Sequence, residues 1–317
     1  MAFVHGRPGP HPFHAALARA VGADFVFVDR LLPWHAGGAG RLRRYTSWVL
    51  NAVALPARRQ RRLILSEGHH VVPVLMRRLR LLGADQRTAA LLANEVLYFL
   101  YAGRYPPRTE RALRTTLAAY DALVCVGSML TDLARDLLGP ACPPLYTIPS
   151  AVAEHRLEAF LRVTPAYERP ALLFVGNGPD GWRGWYKGID LLLAAFRRVV
   201  DARPDATLTV VGRWDADYLR GLVEAAGVPP ASVHAPGPSE TLAPYLAEAS
   251  LYVHPARGEA WGITVVEAMR AGLEPVVSEW TGAREAVRRL DPDLVTPLDP
   301  DTIADAVLAR WRLPLEE

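Results

Sequence analysis

The sequence predicts an α/β protein of two doubly wound, Rossmann-like domains. Three observations carry this prediction. Apolar runs of strand length alternate with amphipathic stretches of helical period along both halves of the chain. Glycine- and proline-rich turns separate these segments, as is typical of the βαβ units of a parallel sheet. The length of 317 residues is sufficient for two domains of ordinary size.

The first half is predicted to be a series of βα units. In chain order the predicted elements are strand 1–5, helix 13–21, strands 23–28, 63–65 and 87–93, helix 109–120, strand 121–127, helix 129–138 and strand 145–149. Ser128 stands directly before a helix and is predicted to cap it. Prolines punctuate residues 150–170, which we interpret as a linker. The predicted domains are therefore residues 1–165 and residues 166–317.

The second half repeats the alternation. Its predicted elements are strand 171–175, helix 189–201, strands 207–211 and 233–235, a helix ending at 249, strand 251–253, helix 263–271, strand 275–278 and helix 302–311. Ser239 is predicted to cap the helix that ends at residue 249. Gly212 and Gly237 fall just beyond the second and third of these strands, where ligands bind in open parallel sheets.

Residues 251–278 are the most informative segment. A short strand leads into a loop in which Glu259 stands between two glycines, and a helix follows that carries Glu267. The free N–H groups of Gly262 and Ile263 at the helix start form an anion site. Two carboxylates beside an anion site suit a sugar diphosphate, because amides bind phosphate and carboxylates bind hydroxyls. The alternative is a pair of surface glutamates that flank a core helix.

Lysine usage singles out one further residue. Arginine supplies 35 of the 36 basic residues, and Lys187 is the single lysine of the chain. A position that holds lysine against such a bias is a candidate for a task that needs a compact ammonium group. Lys187 also stands just before a predicted helix start, which favours phosphate binding. The alternative is a surface lysine that survives by chance.

Composition limits the class of protein. Half of the residues are hydrophobic and no uncharged apolar run reaches 18 residues, so we expect a folded protein without a membrane span. The N-terminus begins directly with a strand-like run and shows no signal core. Cys125 and Cys142 are too few for a disulfide framework and lack the spacing of metal ligands. These features predict a cytoplasmic protein.

Charge divides unevenly along the chain. Residues 1–165 carry 21 basic and 11 acidic side chains, a net charge of 21 − 11 = +10, whereas the remainder carries 15 and 22, a net charge of −7. Arginines surround the apolar, aromatic-containing run 48–55 within residues 41–62. Such a segment can lie on an anionic membrane surface, form a solvated helix face or bind an anionic acceptor. No nucleic-acid-binding motif accompanies it, so we expect no nucleic-acid partner.

The first half offers weaker candidates. His69 and His70 follow the strand at 63–65, so they are predicted at its carboxyl end, where they can contact a sugar or accept a proton. Adjacent histidines point apart, so they do not form a metal site. A helix N-terminal turn without chemistry is the alternative. Gly6 opens a glycine- and proline-rich turn that does not match a dinucleotide fingerprint.

The motifs of the second half resemble the retaining GT-B glycosyltransferases of family 4. The resemblance rests on a His-Pro pair, the spacing Glu259–x7–Glu267 and the following Ala-Met-x-x-Gly-x-x-Pro-Val-Val. It covers about the last 150 residues clearly and the first 150 only in outline. It implies a metal-independent transferase without a cofactor, in which the first domain binds an acceptor and the second binds a UDP-, GDP- or other nucleoside diphosphate sugar.

The resemblance also assigns roles to particular residues. Lys187 matches the family's phosphate-binding lysine, while Asn177 stands where the family usually has an arginine, so Arg183 is the candidate for the missing charge. Glu259 is implied to bind sugar hydroxyls and Glu267 ribose hydroxyls.

Loop residues receive roles from the same resemblance. Gly212 and Gly237 would border the base, and Gly6 would lie in the first loop facing the cleft. The family often places a histidine near the donor sugar where this chain has Asn94 or Glu95.

Three functions remain open from the sequence. The first is a retaining hexosyltransferase with an unknown acceptor, for which a lipid-linked or anionic glycan is a candidate. The second is another enzyme acting on a sugar nucleotide, an epimerase or a phosphorylase. The third is a catalytically degenerate scaffold, which the absence of the arginine at Asn177 and of the histidine keeps open. Base, sugar, acceptor and linkage are not specified by these residues.

Overall fold

Two parallel six-stranded sheets form the framework of the computed structural model. The structure describes residues 1–5, 12–27, 62–68, 70–150, 154–179 and 181–312. The chain divides into two compact units, Met1–Ala153 and Glu154–Glu317. Each unit contains one of the sheets with helices around it, so the predicted pair of doubly wound α/β domains is confirmed.

The first unit has the strand order β2-β1-β3-β4-β5-β6. Its strands are β1 (Ala2–His5), β2 (Asp24–Phe27), β3 (Leu63–Ser66), β4 (Arg87–Leu92), β5 (Ala122–Cys125) and β6 (Leu145–Thr147). Its helices are α1 (Pro12–Ala20), α2 (Val71–Arg78), α3 (Val96–Tyr101), α4 (Pro107–Ala118) and α5 (Ser128–Leu138). The inner strands are mostly apolar and buried, because helices cover both faces of a parallel sheet.

The second unit has the strand order β12-β11-β10-β7-β8-β9. Its strands are β7 (Ala171–Val175), β8 (Thr207–Val211), β9 (Val233–Gly237), β10 (Leu251–His254), β11 (Glu274–Ser278) and β12 (Val295–Thr296). Its helices are α6 (Glu154–Phe160), α7 (Gly181–Tyr186), α8 (Ile189–Ala202), α9 (Ala216–Ala225), α10 (Ala243–Glu248), α11 (Ile263–Arg270), α12 (Arg284–Leu290) and α13 (Pro300–Arg310).

The order of the second sheet creates a topological switch point. The chain runs outward from β7 through β8 to β9, then returns to β10 and continues on the other side to β12. Strands β7 and β10 are therefore neighbours, paired in parallel, whose following connections leave in opposite directions. A crevice forms beyond the carboxyl ends of such strands, and ligands of open α/β sheets bind there.

Several boundaries differ from the sequence prediction. Residues 154–160, predicted to lie in a linker, form α6, which packs against α11 and buries Phe160 in the core of the second unit. The last helix, α13, packs against α8 of the same unit. The burial of Phe160 explains why residues 154–160 form a helix, which the proline-based interpretation of the linker did not consider.

Both predicted serine caps are wrong. Ser128 is the first residue of α5, and Gly127 occupies the capping position with no side-chain hydrogen bond. The Ser239 hydroxyl donates to the Thr241 carbonyl 2.7 Å away and closes a local turn, so α10 begins only at Ala243. No helix in the described part of the chain combines the length and apolarity that crossing a bilayer requires.

Candidate active site

The two residues that the sequence ranked highest meet at the switch point. Lys187 lies in the connection after β7, and Glu259 lies in the loop after β10. The Lys187 Nζ donates to the Glu259 Oε2 in an ion pair. The side chains of Lys187 and Glu259 are only 14% and 18% exposed to solvent. A cation and a carboxylate are therefore held together, largely shielded from water, where the sheet topology places a ligand.

The connection between β7 and α8 gives Lys187 its position. The sequence predicted a loop, but residues 181–186 form the short helix α7, and Lys187 continues it through an N–H bond to the Arg183 carbonyl of 3.0 Å. Gly188 then reverses the chain with φ of +74°. A Cβ at Gly188 would lie 1.9 Å from the Pro255 carbonyl oxygen, so only glycine permits this close approach.

Direct contacts tie the Lys187 connection to the Glu259 loop. The Tyr186 hydroxyl donates to the Gly258 carbonyl. The Arg257 guanidinium donates two bonds of 2.7 Å to the Asp190 carboxylate. Arg257 also lies 4.5 Å from the centre of the Trp185 ring, in a cation–π contact. The bidentate pair and the buried tyrosine fix the two loops relative to each other, so Lys187 and Glu259 are positioned before any ligand arrives.

A chain of polar side chains continues from Glu259 into the sheet. The His254 Nε2 lies 3.5 Å from the Glu259 Oε2, and its Nδ1 lies 3.3 Å from the Tyr252 hydroxyl. That hydroxyl lies 2.8 Å from the Thr264 hydroxyl in the first turn of α11. With Nε2 protonated, the His254 ring directs this N–H toward Glu259, and its Nδ1 can accept from the Tyr252 hydroxyl.

The local environment keeps Glu259 ionised. Burial acts to raise the pKa of this carboxyl, but the Lys187 ammonium and His254 outweigh it and lower the pKa well below the ordinary value of 4.5. Burial also lowers the pKa of His254 below 6.5, with Glu259 opposing and Lys187 assisting. At neutral pH the site therefore contains a carboxylate, an ammonium and a neutral imidazole.

The loop after β11 closes the other side of the Glu259 loop. The Gly282 N–H donates to the Glu259 carbonyl at 2.9 Å, and residues Glu259 and Thr281 form a parallel bridge. Gly262 has φ of +89° and leads into α11, whose first residue is Ile263. The predicted helix start is thus confirmed, and the first N–H groups of α11 follow Glu259 directly in the chain.

Glu267 lies further along α11 and is 1% exposed. Its charge acts on Tyr252, where burial and the carboxylates of Glu259 and Glu267 raise the pKa of the phenol while the bond to Thr264 opposes them. Glu267 is therefore electrostatically part of the same cluster, although it is buried beneath the surface of the site.

The other residues predicted in the second unit cluster at the ends of β7, β8 and β9. The Asn177 Oδ1 accepts from the Arg213 N–H at 2.7 Å, and the Gly212 N–H donates to the Gly237 carbonyl at 3.0 Å. Asn177 therefore links two strand ends, a structural task that an arginine would not perform. Arg183 lies on the exposed side of α7.

The first unit contains a separate pocket of about 470 Å³ that includes Glu95. Its lining is Gly68, His70, Val71, Asn94, Glu95, Val96, Phe99, Tyr105, Thr109 and Leu113. Burial and the charge of Glu95 both raise the pKa of Tyr105. Two predicted residues, Gly6 and His69, lie outside the described part of the chain, as do residues 41–61 of the basic segment.

Sequence reasoning missed several residues of the site. His254 was noted only as part of a His-Pro pair, yet its place at the end of a buried strand marked it as ligand-side. The sequence did not indicate a role for Arg257, which is one of many arginines. It did not indicate one for Tyr252 either, because an aromatic residue is ordinary in a buried strand. Their roles depend on pairing between β7 and β10, which local patterns do not encode.

The second unit resembles a known protein family. Residues 169–312 match the family model of glycosyl transferases group 1. This segment contains Lys187, Glu259 and Glu267. The match concerns this segment, which is less than half of the chain.

A curated relative is the phosphatidyl-myo-inositol mannosyltransferase of Mycobacterium tuberculosis (strain CDC 1551 / Oshkosh). It is 36% identical over 126 residues, which are 39% of this chain and 32% of the relative. The match thus spans about a third of that relative's length.

Solved structures match nearly the whole chain. The E. coli trehalose-6-phosphate structure bound with UDP-2-fluoro glucose has a TM-score of 0.67 at 10% identity and covers 99% of this chain and 91% of that one. Anabaena HepE in complex with UDP and glucose has a TM-score of 0.66 at 14% identity and covers 97% and 88%. At these identities the likeness shows the fold, which is GT-B.

Proposed function

We propose that this protein transfers a sugar from a nucleoside diphosphate sugar to an acceptor hydroxyl with retention of the anomeric configuration. The observation that carries the proposal is the shielded Lys187–Glu259 pair at the switch point of the second sheet. The family match of residues 169–312 and the UDP named in two solved structures of the same fold support it.

In this proposal Lys187 binds the donor diphosphate. Its ammonium donates to Glu259, and a phosphate oxygen arriving beside it would share or replace that contact. When the bond from the anomeric carbon to the phosphate oxygen breaks, negative charge develops on the departing diphosphate. A fixed ammonium and the N–H groups of Gly262 and Ile263 stabilise that charge without reorganisation, so this step needs no metal ion or cofactor.

The carboxylates orient the donor. Glu259, kept ionised by its neighbours, accepts hydrogen bonds from hydroxyls of the transferred sugar, and Glu267 accepts from the ribose. Arg183, on the exposed side of α7, adds charge near the diphosphate. Asn177, Gly212 and Gly237 hold the strand ends beside the base.

We propose an acceptor that carries negative charge, such as a lipid-linked or anionic glycan. The first 165 residues carry a net charge of 21 − 11 = +10, and the mycobacterial relative is named for a phosphatidyl-myo-inositol substrate. The pocket beside Glu95 is the acceptor-side candidate in the first unit, because it combines apolar walls with a few polar groups.

Product analysis tests the reaction. The full chain is incubated with labelled UDP-, GDP- and ADP-sugars and candidate lipid-linked acceptors, and the products are separated. A new glycoside with the donor's anomeric configuration supports the proposal. A changed sugar nucleotide would identify an epimerase, a sugar phosphate would identify a phosphorylase, and no turnover with any donor would favour a scaffold.

Peripheral membrane contact through residues 41–62 is a separate proposal. Basic residues near an anionic surface contribute on the order of 1 kcal/mol each, and salt screens this attraction. The protein should therefore float with vesicles that contain anionic lipid at low salt and dissociate at high salt. Failure to float at either salt concentration would refute the contact.

A further inference from the structure

The first unit contains a cluster of potential metal ligands that the donor site does not use. His5 ends β1, Glu67 directly follows β3, and His14 projects from α1. The His5 Nε2 lies 3.1 Å from the His14 Nδ1 and 3.5 Å from the Glu67 Oε2. One ligand atom from each residue lies within 4.8 Å of the others. β1 and β3 are adjacent, so the sheet itself brings these groups together.

The two distances from the His5 Nε2 fit a tetrahedral metal ion. Zinc lies about 2.0–2.2 Å from imidazole nitrogen and carboxylate oxygen, so two ligands of a tetrahedron are roughly 3.3–3.6 Å apart. The two distances from the His5 Nε2 lie within about 0.2 Å of that range. Two imidazoles and one carboxylate are also a donor set that zinc uses with a fourth position open. Magnesium prefers an all-oxygen shell, so it fits poorly.

The surroundings favour metal binding over a solvated cluster. His14 is 8% exposed, and the His5 and Glu67 side chains are 12% and 15% exposed. The Asn94 amide donates to the Glu67 Oε1 at 3.0 Å, which orients the carboxylate and leaves Oε2 toward the histidines. Such an outer hydrogen bond is typical of metal ligands.

Aromatic rings shield the same groups. The Phe3 ring centre lies 6.1 Å from that of His5 and 5.8 Å from that of His14. The Phe25 ring packs edge-on against His5 at 6.0 Å. An apolar wall behind the ligands lowers the local dielectric and strengthens their attraction for a cation.

We propose that His5, His14 and Glu67 bind one divalent transition metal ion, with zinc the best match, and leave one coordination position for water or a ligand oxygen. The site belongs to the first unit and does not depend on the proposed transferase activity. It also differs from the expectation of a protein without metal, which the family resemblance implied and which the cysteine spacing and the adjacent histidines did not oppose.

Cobalt titration of the full chain, purified without a polyhistidine tag, tests the proposal. Tetrahedral Co²⁺ gives intense visible absorption, and Zn²⁺ should abolish it by competition. Glu67→Gln keeps the shape of the side chain while removing the anionic ligand, so it should weaken binding at least about tenfold. Asn94→Ala should weaken binding about 10–100-fold through the carboxylate it orients.

His234→Gln is the matched control, because His234 is exposed on β9 of the second unit. It should bind Co²⁺ as the wild type does. Circular dichroism verifies that each variant is folded. Absence of a tetrahedral spectrum in the wild type, or wild-type affinity in the Glu67→Gln variant, would overturn the proposal and leave a hydrogen-bonded polar cluster.

Discussion

At the scale of residues, the Lys187–Glu259 pair is better explained by ligand binding than by stability. A buried ion pair gains little over apolar packing, because desolvation offsets the attraction between the charges. Here both side chains are mostly shielded, and a third polar residue, His254, is held against the carboxylate. The ion pair contributes little to folding, yet several loop contacts hold it in place. This combination is typical of a preorganised binding site.

Replacing Lys187 with alanine should lower kcat/KM about 10²–10³-fold, equivalent to about 2.7–4 kcal/mol of transition-state stabilisation, because the departing diphosphate loses its fixed cation. Steady-state kinetics with the best donor measures the effect. Arg220→Ala is the control, since Arg220 forms an exposed pair with Asp217 on α9 and is 62% exposed. Unchanged kcat/KM in the Lys187 variant would contradict the role.

His254 should contribute to the pH dependence of folding. Burial lowers its pKa in the folded protein, so the unfolded chain takes up this proton first as the pH falls below 6.5. The free energy of unfolding should therefore decrease from about pH 7.5 to about pH 5.5, and His254→Gln should make that decrease shallower. Urea unfolding of both proteins across this range measures the slopes. Equal slopes for the wild type and His254→Gln would contradict the prediction, because they would show that His254 has the same pKa in the folded and the unfolded protein.

At the scale of elements, the inner strands of both sheets could be predicted because they are buried and read as apolar runs, whereas the two-residue edge strand β12 was not predicted. Helix α7 could not, since the sequence Gly-Trp-Arg-Gly-Trp-Tyr has weak helix propensity. It is held by tertiary contacts instead: Tyr186 bonds to Gly258, and the Arg257 guanidinium lies 4.5 Å from the centre of the Trp185 ring. The sequence therefore identified Lys187 as a candidate site residue, but it did not predict the helix and the contacts that hold Lys187 in place.

Gly188→Ala should destabilise the protein and weaken donor binding together. The backbone there has positive φ, a strain of about 1–3 kcal/mol for alanine, and the added Cβ meets the Pro255 carbonyl. Gly221 is the matched control: it lies exposed inside α9 with no atom near its Cβ position, so Gly221→Ala should stabilise by about 0.5–1 kcal/mol. Thermal unfolding measures the stability of each variant, and titration with the donor measures its affinity. A Gly188 variant that behaves like the Gly221 variant would refute the constraint.

At the scale of the whole molecule, each unit places its polar side chains at the carboxyl edge of a parallel sheet. In the second unit this edge holds Lys187, Glu259 and His254 beside the switch point between β7 and β10. In the first it holds the His5–Glu67 cluster. The strand order that creates both edges comes from long-range pairing, so the sequence predicted the fold class and the main charged pair but not the neighbours that complete either cluster.

The most direct measurement of the central claim is a thermal shift screen of the wild type and of Lys187→Ala with nucleoside diphosphates and their sugars. A ligand that binds the native state raises Tm, by an amount that grows with ligand concentration over Kd. The account predicts a concentration-dependent rise for at least one nucleoside diphosphate in the wild type and in the Arg220→Ala control, and its loss in Lys187→Ala. Equal shifts in Lys187→Ala and the wild type, or no shift with any of these ligands, would contradict it.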